Sequence, residues 1–457
     1  MPGGKRKEMI PNCGEMNRVT IKWRNSMKIR DSLKRKYNRC IIGICAFMMF
    51  LLSTCSNDSP INKEKPDVPK PDPEQIEVIG NVPNTIPSDI AIVKQATKIS
   101  QLTGDYDKHL NKPTLSQAYS RYRIEGTDLG VPFEDGDITW LLFGDTWGPK
   151  SGLHDAIGYT TDKNPEDGLN LDFVIDDMGI YQGVIIPGVS TTGAFEVPTD
   201  GLVINDEFFL WITTDHSDKI SMGRSVLATA NRANALKGQY SKVYDLSISK
   251  FINVSVVKIK NSDWDFFPQH EGDGLVLFAS GDYRKSQIYL AYQPITEIKN
   301  KKSIKYFAGI KDGKPLWNKK EEDAQPIFRL TNPGVGELSA SYNKFIKKWI
   351  LLYNHDDPRG INLRTADAPW GPWSEPRVIF QPWDDKGYCH FIHTSWEFEN
   401  CDNLHNKGRE NEWGGEYGPY QFEHFATGDN QSTTIYFTMS TWNPYDVVLM
   451  KSTLRRR

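Results

Sequence analysis

From about Tyr119 to the C-terminus one unit recurs five times, and few folds accommodate such a chain. Each copy has an apolar strand, a turn carrying Asp, His or Asn, and a second strand ending in small or polar residues. The apolar strands are Ile138–Phe143, Leu202–Thr213, Leu275–Ser280, Trp349–Tyr353 and Thr434–Met439. Their turns hold Gly144-Asp145, Asp215-His216, Asp282, His355-Asp356 and Trp442-Asn443. The copies are spaced by about seventy residues, room for a four-stranded sheet each, and no long amphipathic helix interrupts them. Five equivalent small sheets predict an all-β chain closed as a five-bladed β-propeller, because ring closure leaves no exposed sheet edge. A pair of two-sheet sandwiches is the alternative, and the equivalence of the copies argues against it.

Upstream of the repeats the composition changes. Residues 1–54 carry twelve Lys/Arg against three Asp/Glu, whereas the rest carries 43 against 55, a net charge of -12. An acidic body argues against nucleic acid or another polyanion as the main partner. The basic region from Met27 through Lys34-Arg35-Lys36 to Arg39 precedes the apolar run Ile41 to Leu52, which is too short to span a bilayer comfortably. The run ends Leu52-Ser-Thr-Cys55, which resembles the lipobox of bacterial lipoproteins, with Thr54 departing from the usual Gly, Ala or Ser. Residues 1–54 are therefore expected to be a lipoprotein signal segment, with Met27 a plausible true start and Cys55 the lipidated residue. An uncleaved membrane anchor is the alternative, and either puts the body outside the cytoplasm. Residues 55–82, with EKPDVPKPDPEQ, are expected to be an extended tether, and residues 83–457 the folded domain. The polar stretch Gln101 to Ser116 fits no element. Of six cysteines only Cys389 and Cys401 lie in the folded domain; they can pair, and no CxxC points to zinc.

The chemistry concentrates in Gly126 to Trp147, GTDLGVPFEDGDITWLLFGDTW. Asp128 and Asp145 each sit in a small polar turn at one end of an apolar strand, so both can face one cleft. Glycoside hydrolysis uses such a pair, one group to protonate the leaving oxygen and one to activate water or attack the sugar. Turn formation is the plain alternative for Asp beside Gly. Aligning the copies by their apolar strand offers Asp128 from the first, Asp200 and Glu196 from the second, His270 from the third, Glu337 from the fourth and Tyr420 from the fifth. Asp128 to Asp145 spans 17 positions and Glu337 to His355 spans 18, so Asp128 and Glu337 are expected to approach the axis from opposite sides. Glu196, Asp215, His270, His355, Trp147 and Trp442 are candidate substrate contacts, each with a turn or packing role as the alternative. His390 and His393 lack a partner set for a metal.

Gly126-Thr-Asp-Leu-Gly, Leu142-Phe-Gly-Asp-Thr, Gly336-Glu-Leu-Ser, Ser341-Tyr-Asn, Gly371-Pro-Trp and Ser440-Thr-Trp-Asn-Pro-Tyr, in that order over roughly residues 115–455, resemble domain-of-unknown-function family 4185, regarded as glycoside hydrolase family 183. That resemblance implies a five-bladed propeller that cleaves internal D-arabinofuranosyl linkages, as in the arabinan of mycobacterial arabinogalactan and lipoarabinomannan. It carries Asp128 and Asp145 over as the acids, with Glu337 matching Gly-Glu-Leu-Ser in a less defined role. Lipobox and tether look like those of a surface glycanase from a Bacteroidota-type bacterium. The expectation is thus a monomeric, outer-membrane or cell-surface lipoprotein that hydrolyses arabinan and needs no cofactor, a structural calcium ion staying open. A surface glycan-binding lipoprotein without catalysis, or a hydrolase of another furanoside such as L-arabinan, are the alternatives. Missing Ser-x-Asp-x-Gly-x-Thr-Trp repeats argue against a sialidase.

Overall fold

The computed structural model describes residues 78–149, 154–189, 196–215 and 222–457. The signal segment, Cys55, most of the tether and His216 lie outside the described residues. Gly80 and Asn81 hydrogen-bond to Ala308 and Ile310, so the last residues expected in the tether are pinned to the body.

Five antiparallel sheets follow one another along the chain. The first blade runs Leu129–Asp135, Ile138–Thr146, His154–Thr160 and Asp172–Phe173. The second runs Val197–Ile204, Glu207–Thr214, Arg224–Asn231 and Ser241–Ser247. The third has five strands, from Asn253–Lys260 and Asp273–Ser280 to Lys314–Asn318. The fourth runs Leu338–Asn343, Lys348–Asp356, Arg359–Ala366 and Arg377–Phe380. The fifth takes three strands from the C-terminus, Glu416–Gly428, Ser432–Thr441 and Asp446–Arg456, and its outermost strand, Ile90–Gln101, from before the first blade. That pairing, from Ile90 with Arg456 to Gln101 with Val448, closes the ring with backbone hydrogen bonds.

Packing shows that the sheets stand radially. The buried apolar side chains fall into five clusters, one between each pair of neighbouring blades. Successive residues of a second strand feed opposite clusters, as the two-residue period of a strand requires. Trp140 and Leu142 pack toward the second blade, Leu141 and Phe143 toward the fifth. Phe208, Leu210 and Ile212 face the first blade, and Phe209 and Trp211 the third. A strand buried on both faces needs a continuous apolar run, which is why these strands show no polar alternation.

The inner strands are joined by polar groups. Asp200 accepts from the Val256 N–H at 2.6 Å, Ser255 Oγ from the Ala340 N–H at 3.1 Å, and Ser339 Oγ donates to the Pro419 carbonyl at 2.6 Å. From the fifth blade's second strand, Thr438 Oγ1 donates to the Gly130 carbonyl at 3.0 Å. Asp200 is thereby an inter-blade pin, its carboxylate also accepting from the Gly201 N–H.

Two expectations from the repeat are corrected. The run Leu202–Thr213 is two strands, split by Asn205 and Asp206, whose φ values of 50° and 66° form a tight hairpin turn. In the third copy the inner strand is Asn253–Lys260, so the Gln269-His270 pair belongs to the connection that follows it.

Candidate active site

Every inner strand starts at one rim of the ring, and every second strand ends there. In register terms, the residue one step before the paired inner strand is Asp128 in the first blade, opposite Gly144. It is Glu196 in the second, opposite Thr214, and Glu337 in the fourth, opposite Asn354. Three blades thus put a carboxylate in the same slot; the third and fifth have Ile252 and Gly415 there. Asp145 adds a fourth acid from the end of its strand.

The two Gly-Thr-Asp-type turns hold each other. Thr127 and Thr146 hydroxyls meet at 2.7 Å, and Thr146 Oγ1 donates to the Gly144 carbonyl at 2.8 Å. Leu129 takes φ 65°, a left-handed conformation costly for a branched side chain, and its N–H is fixed by Ser440 Oγ at 2.7 Å. The turn is therefore set by the fifth blade as well as the first. A Cβ on Gly144 would lie 2.3 Å from Asp128 Oδ1, so only glycine lets this carboxyl fold over the neighbouring strand.

Asp128 is buried, and Tyr417 donates to its Oδ2 at 2.9 Å. Its Oδ1 is sealed from solvent without a hydrogen-bond partner, as are Oδ1 of Asp145 and Oε2 of Glu337. Burial pushes the Asp128 carboxyl up to about 7; Tyr445 and Tyr417 hydroxyls oppose the rise and the charge of Glu337 adds to it. Burial also holds Asp145 well above the carboxylate range, helped by Asp128 and Glu196. Asp155, cross-strand from Asp145, is raised likewise by burial and by Asp145, Glu196 and Asp128.

Glu337 acts on the same cluster of acids from the fourth blade. Tyr283 donates to its Oε1 at 2.6 Å, and Arg284 Nη2 stands 3.8 Å from Oε2. Its field reaches Asp128 and the buried Tyr417 and Tyr420 of the fifth blade. Glu416, one step along the fifth inner strand, is raised by burial against the opposing pull of Arg359 and Arg284.

Of the remaining sequence candidates, Trp147 stacks on Tyr445 with ring centroids 5.1 Å apart, and Trp442 meets Tyr445 edge-on at 5.8 Å. Both aromatics border the Asp128 pocket through Tyr445. His355 is buried with both ring nitrogens engaged, Nε2 at 2.9 Å from the Asn332 carbonyl and Nδ1 accepting from the Asp357 N–H at 2.9 Å. It holds the loop leading to Glu337 and offers a sugar nothing. Asp215 is exposed and paired with Arg224 of the third strand at 2.6 Å, directed outward across its sheet. His270 is exposed in the connection at the opposite rim. His393 is a scaffold residue, its Nδ1 2.6 Å from Asp402 and its Nε2 2.8 Å from the Glu410 carbonyl.

Sequence reasoning missed Asp155, Tyr283, Arg284 and Tyr417 as parts of this site. Asp155 was findable as the cross-strand partner of Asp145. Tyr283 and Arg284 arrive from a blade whose inner strand had been misplaced.

The family model described as "Domain of unknown function (DUF4185)" matches residues 115–451. The chain belongs to the DUF4185 family. The pocket lies within the DUF4185 match, from Asp128 to Tyr445. No curated protein matches the sequence. Among solved structures, a candidate hydrolase from Bacteroides ovatus ATCC 8483 superposes with a TM-score of 0.49 at 12% identity, covering 73% of this chain and 87% of that one. The native arabinanase of Bacillus subtilis gives 0.38 at 10% identity, covering 72% and 96%. A GH43 endo-arabinanase from Bacillus licheniformis gives 0.36 at 13% identity, covering 72% and 96%. Likeness at this distance bears on neither the site nor the substrate of the DUF4185 chain.

Proposed function

We propose that this DUF4185 domain is a glycoside hydrolase, an endo-D-arabinanase that cuts internal D-arabinofuranosyl linkages of mycobacterial-type arabinan. The observation that carries the hydrolase reading is the pair Asp128 and Asp145, two interacting carboxyls from one hairpin, each with an unpartnered oxygen sealed from solvent. Two such groups share protons as a unit, so one stays protonated near neutrality. That proton goes to the glycosidic oxygen as its bond to the anomeric carbon breaks. The ionised partner takes a proton from the incoming water, or attacks the anomeric carbon itself. Glu337 faces the pair from the fourth blade with Tyr283 and Arg284 behind it, placed to contact a sugar hydroxyl or tune the pair. The arabinan specificity rests on the resemblance to glycoside hydrolase family 183. Cys55 is the proposed lipid site that anchors the enzyme at the cell surface.

Incubation with soluble mycobacterial arabinan, followed by chromatography, tests the reading. The protein should release a ladder of oligosaccharides, and Asp128→Asn and Asp145→Asn should release none while folding normally. Intact arabinan alongside cleavage of L-arabinan would move the specificity. Near-normal turnover by both variants would remove the catalytic pair.

A further inference from the structure

The fourth and fifth blades are joined by residues 381–415, thirty-five residues without a named strand or helix. A loop so long inside a compact domain is normally functional. It leaves the outer strand Arg377–Phe380 and returns to Glu416, so it lies on the rim that carries the acids. Its construction is rigid. A disulfide joins Cys389 to Cys401, the buried His393–Asp402 pair sits between the two halves, and Asn443 ties the loop to the turn bearing Trp442 and Tyr445.

On this rim the aromatic side chains form two groups, joined where Trp442 bonds to Glu412 beside Trp413. The inner group is Trp147 and Tyr445, whose hydroxyl lowers the Asp128 pKa against burial. Trp442 follows, its indole N–H donating to Glu412 at 2.8 Å. Trp413 is the next residue along the loop, with Trp383 at 6.1 Å and Phe398 at 5.1 Å. At the inner end Tyr445 is buried and Trp147 and Trp442 are half-buried, whereas Trp383 is 42% and Phe398 60% exposed. Arg359 of the fourth blade lies 4.4 Å from the Trp383 ring centroid, so the outer end is also held against that blade.

We infer that the 381–415 insertion is a distal glycan-binding platform, holding sugars of the polysaccharide chain several units from the bond in the pocket. Exposed aromatic rings on a rigid support stack on the apolar faces of sugar rings at little entropic cost. The two groups run outward from the proposed catalytic acid, so their occupant is the chain that the pocket cuts and not a separate partner. The inference rests on the proposed function for the identity of that chain. It also explains the disulfide, since a platform that moves relative to Asp128 would lose register with the scissile bond.

Trp383→Ala and Phe398→Ala change exposed rings outside the catalytic pocket. Retention on affinity gels containing soluble arabinan, and kinetics on that polymer and on a short arabino-oligosaccharide, separate the roles. Each variant should lose roughly fivefold to tenfold in affinity for the polymer through KM, with kcat/KM on the short substrate within about twofold. Unchanged polymer affinity in both variants overturns the platform. Equal losses on polymer and short substrate overturn it too, since they mean the loop only shapes the pocket. If the protein cleaves nothing but is retained by the gel, loss of retention in Trp383→Ala still supports the platform while the hydrolase reading fails. Neither cleavage nor retention removes both.

Discussion

The pocket has two unlike halves. On the side of the first and second blades, Asp128, Asp145, Asp155 and Glu196 act on one another, and among the described residues no Lys or Arg is a main influence on the titration of the first three. On the side of the third to fifth blades, Glu337 and Glu416 have Arg284, Arg359 and Tyr283 beside them. Burial disfavours charge on both sides, and on the second Arg284 and Arg359 pull against it at Glu416. Selection for stability alone gives no reason to bury Asp128, Asp145 and Asp155 where each raises the cost of ionising another. The first half is built to keep protons on carboxyls at neutral pH, and the second to hold a carboxylate and hydroxyls in place.

The largest effect should come from breaking the first half. Asp128→Asn and Asp145→Asn should each lower kcat by at least about 10³-fold, within the range of a removed proton-transfer group. Glu337→Gln, across the pocket, should cost roughly 10²-fold or less, read mainly in KM if it contacts sugar. A larger loss from Glu337→Gln than from either aspartate would show that the acid pair spans the pocket instead of sitting in one hairpin. Next in size is Gly144→Ala. Its methyl needs the space 2.3 Å from Asp128 Oδ1, so the carboxyl must turn away, and about 10²-fold in kcat should go with little loss of fold.

That contrast maps onto what the sequence makes legible. The ring was readable because every second strand is buried on both faces, so Trp349–Tyr353 or Ile138–Phe143 stands out as an unbroken apolar run. The blade-one hairpin was readable because Gly126-Thr-Asp and Gly144-Asp-Thr are local, and the register places Asp128 opposite Gly144. The third blade was not, because its inner strand Asn253–Lys260 alternates apolar and charged residues, and the more hydrophobic second strand drew the alignment forward by one. His270 followed that error to the far rim, and Tyr283 and Arg284 went unseen. His355 and Asp215 could not be sorted from ligands by sequence, since a turn residue's partner lies on another strand: Asn332 for one, Arg224 for the other. Ring closure by Ile90–Gln101 was equally hidden, its partner being more than three hundred residues away.

A smaller effect probes the second half. Tyr283→Phe removes the 2.6 Å hydrogen bond to Glu337 and leaves the ring, so Arg284 keeps its stacking partner. About tenfold in kcat/KM should be lost, as for one hydrogen bond to a charged group. The alkaline limb of the pH profile, governed by the Asp128–Asp145 pair, should move little. A large shift of that limb would mean that Glu337 belongs to the proton-sharing unit.

The least effect on the molecule, and the most direct on the contrast, is in stability. Asp128 titrates near 3.8 when unfolded and near 7 in the fold. Between those values the folded state binds more protons, so stability falls as pH rises through this window and stays reduced above it. Asparagine in its place never ionises. Asp128→Asn should therefore gain stability at pH 8 relative to wild type, on the order of 2 kcal/mol, and lose that advantage at pH 4. Glu337→Gln should gain nothing at pH 8, because it strands Arg284 and Tyr283 in a half-buried site. Denaturant melts of both variants at the two pH values give the answer. Equal gains at pH 8 would mean that the second half is as strained as the first, and the division of the pocket would lose its physical basis.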